Sequence, residues 1–138
     1  MRVFLKYLFL FIIGGVVYYS MEMLFRGYSH YSMAILGGIC FIACGLLNEL
    51  LSWDTSLLLQ GLIGSGIITV LEFLIGVLVN MILHLNVWDY SNMPLNVLGQ
   101  ICLPFSLLWV IIAIGAIILD DYIRYCFFDE EKPRYKLF

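Results

Sequence analysis

Charge is scarce in this chain of 138 residues: only 12% of its side chains are charged, against 63% that are hydrophobic. A soluble domain of this length carries about a quarter charged residues and about half apolar ones. The apolar excess is too large for one buried core, which marks an integral membrane protein. No basic cluster with interleaved aromatics exists, so nucleic acid has no support as a partner. The cysteines, Cys40, Cys44, Cys102 and Cys126, show no zinc-ligand spacing and imply no disulfide framework. Cys40 and Cys44 share a helix face and read as small packing hydrophobes. No metal and no cofactor is expected.

Room for a second domain is also missing. Four apolar runs, near 3–24, 32–51, 57–83 and 98–119, each reach the length of about 20 residues that a helix needs to cross the bilayer. The connections 25–31, 52–56 and 84–97 are short, and no low-complexity linker or long internal repeat interrupts them. Alternating strands of about ten residues, which a membrane barrel requires, are absent. Residues 1–138 therefore read as a single transmembrane domain with a tail at 120–138. The expected fold is all-α, a four-transmembrane-helix bundle. The opening run, "MRVFLKYLFLFIIGGVVYYSMEMLF", leads to Glu22 and Arg26 rather than a small-residue cleavage site. It reads as a retained first helix.

Orientation follows from the few cations. Arg2, Lys6, Arg124, Lys132, Arg134 and Lys136 flank the termini, and only Arg26 occupies a loop. This asymmetry places both termini in the cytoplasm, with loops 25–31 and 84–97 outside, for a multi-pass protein of the plasma or inner membrane.

The polar residues that are present fall into patterns. In the third run, Gly61, Ser65, Thr69, Glu72, Gly76 and Asn80 recur every three or four positions and form one helical stripe. Small residues in such a stripe let helices approach closely in lipid. Glu72 is not small. It lies about 22 Å along a helix rising 1.5 Å per residue, where an ionised carboxylate costs about 3 kcal/mol or more. It must be protonated, paired, or facing a wet cavity. Glu22 and Arg26, four apart, are suited to pairing at the outer end of the first helix. Asn48, Glu49, Trp53 and Asp54 mark the inner boundary of the second.

The densest polar stretch is "NVWDYSNMPLNVLGQIC", residues 86–102. Pro94 after Asn92 favours a turn, and Asn96 is placed to cap the fourth helix. Gln100 and Pro104 lie one turn apart, with Pro104 expected to bend that helix. Trp88 and Tyr90 suit interfacial anchoring. This loop is expected to fold back as a lid over a polar pocket in the outer half of the bundle. Glu22, Glu72, Asn80, Asp89, Tyr90, Asn96 and Gln100 would bind a small solute there, with Glu72 as the floor.

The stretches "RGYSHYSM" (26–33), "GG" (37–38), "NE" (48–49), "EFLIGVLVN" (72–80), "WDYS" (88–91), "PLN" (94–96) and "GQICLPFSLLW" (99–109) resemble the ABC-transporter type IV family. These are CmpB-like membrane proteins often labelled ABC transporter permease, and the resemblance spans nearly the whole chain. It implies a small multi-span membrane protein assigned to transport. The phosphate-binding pattern GxxxxGK[ST] is absent, so ATP hydrolysis would belong to an ATPase subunit in trans. Four helices are few for enclosing a path, and a homo-oligomer is expected.

A permease subunit for a cationic or hydrogen-bond-rich solute is the first reading. A proton-coupled exporter of the small multidrug type is a close variant. A membrane-embedded lipid-modifying enzyme would use Glu22, Glu72 and Asp89 with His30 and His84, yet no serine–histidine, cysteine–histidine or His-x-x-x-His constellation supports it. The chain itself is not expected to be an enzyme. A non-catalytic assembly protein is the third reading, in which the polar stripe serves only packing.

Overall fold

The computed structural model describes residues 2–27, 29–51, 55–130 and 135. Trp53, Asp54, Lys132, Arg134 and Lys136 lie outside the described residues, as do the side chains of Arg2, Asn48 and Glu49. Among the described residues four α-helices form: α1 (Arg2–Arg26), α2 (Tyr31–Leu50), α3 (Leu57–Gly76) and α4 (Leu103–Phe128). A π-helical turn, Val77–Ile82, continues α3. Val3–Arg26, Leu57–Ile82 and Leu103–Phe128 are long and apolar enough to cross a membrane, and Tyr31–Leu47 is a shorter apolar helix. The expected all-helical membrane bundle is the fold observed.

Local chemistry sets the helix starts. His30 Nδ1 accepts from the Ser32 amide at 3.2 Å and caps α2. Ser56 Oγ accepts from the Leu59 amide at 3.1 Å and caps α3. Pro104 lies in the first turn of α4, where its missing N–H has no partner to lose. The bend expected there does not arise. The fourth helix also begins at Leu103 rather than near 98, because 97–102 is spent on a turn and a bridge between Val97 and Ile101. It runs beyond 119 to Phe128, carried by the buried Asp120–Arg124 pair at 2.8 Å on successive turns.

Helix α1 lies along α2, α3 lies along α4, and α2 touches both α3 and α4. Close approach of α1 and α2 depends on glycine: a Cβ on Gly15 would stand 2.7 Å from the Ala34 carbonyl oxygen. Within the α3 stripe, Gly61, Ser65 and Thr69 face α4. Thr69 Oγ1 and Ser106 Oγ are 2.9 Å apart, Ser65 Oγ donates to the Ser106 carbonyl, and Gly61 abuts Ile114. Each such interhelical bond contributes about 0.6 kcal/mol in a membrane.

By contrast, α1 and α4 barely meet. They touch near one end through Phe9 against Phe127 and Phe128, at 5.9 and 5.8 Å between ring centroids. Towards the other end Tyr18 meets Trp109 edge-on at 6.2 Å. The start of α1 and the stretch after α4 share the first of these ends, where Lys6 Nζ binds Glu130 Oε2 at 2.7 Å. At the opposite end Arg26 Nη2 donates to the Val87 carbonyl at 2.9 Å and ties α1 to the segment 83–102.

Candidate functional site

Glu72 is 2% exposed, on the face of α3 turned towards its neighbours. Its partners are two neutral donors. Trp109 Nε1 of α4 donates to Oε1 at 3.4 Å, and the Tyr90 hydroxyl, from segment 83–102, donates to Oε2 at 3.3 Å. Burial, with Glu72 beside it, pushes the Tyr90 phenol well above its ordinary value, so it remains a donor. Tyr90 stacks on Phe105 at 4.9 Å and 11°, and Phe105 leans on Trp109 at 6.2 Å. An aromatic wall thus fixes both donors on the acid.

Glu72 also lines a cavity of about 360 Å³. Gly14, Val17 and Tyr18 of α1, Cys40 and Phe41 of α2, and Gly115 of α4 contribute to its wall. The space lies where α1 and α4 fail to meet. Most of its lining is hydrocarbon or aromatic. The Tyr18 hydroxyl on it already donates to Glu22 Oε1 at 3.1 Å.

The lid is present, and it is held by side chains expected to bind solute. Asn80, buried within the π-helical turn, accepts the Val87 amide on Oδ1 at 2.7 Å and donates through Nδ2 to Gln100 Oε1 at 2.8 Å. Gln100 Nε2 donates to the Leu98 carbonyl at 3.0 Å, and its own carbonyl accepts from Trp88 Nε1 at 3.0 Å. Trp88, read as an anchor at the bilayer interface, is buried inside this knot. Gly76 makes the knot possible, since a Cβ there would stand 2.7 Å from Gln100 Oε1 and 2.9 Å from Trp88 Cζ2. Gln100 therefore precedes α4 rather than riding on it.

The remaining candidates are spread over the same end. Glu22 accepts from Arg26 Nη1 at 3.0 Å, the four-residue pairing that its spacing predicts. Asp89 is exposed and accepts from the amide and hydroxyl of Ser91, which hold its carboxyl below the usual value. Asn96 caps a turn rather than α4: its Oδ1 accepts from the Gly99 amide at 3.1 Å and its Nδ2 donates to the Met93 carbonyl at 2.9 Å. Pro94 sits in the preceding turn. Of the seven expected binding residues, the structure brings Glu72 and Tyr90 into direct contact. Asn80 and Gln100 bond each other beneath the lid, and Glu22, Asp89 and Asn96 make local contacts of their own.

Two features escaped the sequence reading. Trp109 was one apolar residue among many, and only its register, opposite Glu72 on the facing helix, distinguishes it. The second is a buried ionic cluster at the end that carries the termini. Arg124 Nε binds Asp120 Oδ2 at 2.8 Å, Glu130 Oε1 lies 3.7 Å from Arg124 Nη1, and Tyr135 donates to Asp121 at 2.7 Å. Two adjacent acids followed four residues later by arginine carried its signal. Among the described residues no group of His, Cys, Asp and Glu is arranged to hold a metal ion.

The family described as "Putative ABC-transporter type IV" matches residues 9–129. No curated protein matches the chain, and no solved structure does.

Proposed function

The chain belongs to the ABC-transporter type IV family, and from that premise we propose that it is the membrane-spanning subunit of a transporter whose solute site is the cavity beside Glu72. One observation carries this reading: a buried carboxyl lines a space of about 360 Å³ and is held there by neutral donors. That volume falls in the range of sites for small molecules, about 300–1,000 Å³. An acid that served packing alone would be expected to bond across a filled seam, as Ser65 and Thr69 do. An acid inside a bilayer is retained where a charge or proton must be handled.

In this reading the lid end, with Arg26, Val87 and Tyr90, faces outward, and the end with Lys6, Arg124 and Glu130 faces the cytoplasm. ATP hydrolysis belongs to a partner subunit docked at the cytoplasmic end. A second copy of the chain completes the enclosure of the path. The test is growth of a host that depends on this chain, compared for wild type and Glu72→Gln at equal membrane abundance. Loss of growth in the variant supports the reading, and equal growth refutes it.

A further inference from the structure

The cavity beside Glu72 has a chemical character that selects among solutes. Its polar groups are few, and they are engaged: the Tyr18 hydroxyl on Glu22, the Trp109 N–H on Glu72. A sugar or another hydroxyl-rich solute would leave its own groups unpaired there, at about 1–3 kcal/mol each. An inorganic divalent cation fits no better, because it requires about six oxygen ligands and one carboxylate supplies two. What remains is one carboxyl group among the aromatic side chains Trp109, Tyr18 and Phe41. Carboxylate and aromatic faces together attract organic cations, whose diffuse charge needs no ring of oxygens.

The way in is also visible. Ile111, Val17 and Leu119 line the cavity and yet are 69%, 40% and 38% exposed on the apolar belt of the bundle. Gly115 stands among them, exposed and with nothing within 4 Å of a Cβ placed on it. The mouth lies in the cleft between α1 and α4, and the two helices touch above and below it through Tyr18–Trp109 and Phe9–Phe127. It opens sideways, towards lipid tails.

Taking the cavity as the solute site, we propose that its substrate class is the hydrophobic organic cation, admitted from the bilayer through the cleft between α1 and α4 and paired with Glu72. A cation carrying hydrocarbon concentrates in the membrane, passes an apolar cleft without shedding bound water, and offsets the cost of the buried carboxylate on arrival. A hydrated ion does none of these.

The test is equilibrium binding of radiolabelled benzyltriethylammonium to the full chain in lipid nanodiscs, with its uncharged carbon isostere as competitor. Saturable binding that the isostere does not displace is expected. Glu72→Gln should weaken it about tenfold or more by removing the charge partner. Gly115→Leu, at a position with open space around it, should slow both association and dissociation of the label by narrowing the mouth, without lowering the thermal unfolding midpoint. Equal competition by the isostere would overturn the charged class. Association and dissociation rates indifferent to Gly115→Leu would overturn the lateral mouth. No binding, in a protein whose growth phenotype still depends on Glu72, would overturn the substrate class alone. Normal growth of Glu72→Gln would remove the transport reading beneath it.

Discussion

Asparagine and glutamine do opposite work from glutamate in this bundle, and substitutions separate them. Asn80→Ala strips acceptors from the Val87 amide and the donor from Gln100. Each buried group left without a partner costs about 1–3 kcal/mol. The variant should unfold at clearly lower temperature in detergent. Glu72→Gln keeps a carbonyl oxygen for Trp109 Nε1 and presents an amide N–H that the Tyr90 hydroxyl can accept, so its unfolding midpoint should stay near wild type while function is lost. Asp89 differs again. Its hydrogen bonds from Ser91 favour the charged form, so its contribution to the lid is present at neutral pH. That contribution disappears only as pH falls through the lowered value, beneath the ordinary aspartate value of about 4. The NMR shift of the Ser91 amide, which donates to Asp89, should therefore hold steady between about pH 8 and about pH 5. A transition inside that window would show that another group controls the lid.

Helix α4 and the segment before it show how a short stretch decides geometry. Pro104 occupies the first turn, so Pro104→Ala should change stability by less than about 1 kcal/mol; a helix-interior proline would be worth about 3 kcal/mol. Gly76→Leu should instead lift Trp88 and Gln100 off α3, visible as faster hydrogen exchange across 87–100. Faster exchange in α4 but not in the lid would contradict the packing described. The four apolar helices, the polar α3 stripe and the Glu22–Arg26 pair were legible in the sequence, because all follow from helical periodicity and apolar run length. Much of the site was not. Asn80, Gln100 and Trp88 were read as a binding surface and an anchor, and nothing local says that they satisfy one another. Asn80 keeps to the face its spacing predicts, but its partners lie seven and twenty residues along the chain, and no local pattern names them. The empty cleft between α1 and α4 is a property of two distant segments, invisible to any pattern within one.

The bundle as a unit is uneven: two tightly joined pairs, α1 with α2 and α3 with α4, bridged mainly by α2. The cavity occupies the unbridged side. Lid and termini lie at opposite ends, so their accessibility should be opposite too. Asn92→Cys, at an exposed lid position, should react with a membrane-impermeant maleimide in intact cells, and Cys126, exposed near the other end of α4, only in inverted vesicles. Labelling of both from one side would contradict a membrane-spanning α4.

Everything functional rests on Glu72 facing space that is open to the bilayer. A hydrophobic carbodiimide, which reaches carboxyl groups from lipid, tests this directly when modified peptides are counted by mass spectrometry. Wild type should carry the adduct on Glu72, and both Gly115→Leu and bound benzyltriethylammonium should suppress it. An unmodified Glu72, or an adduct that neither treatment reduces, would contradict the account.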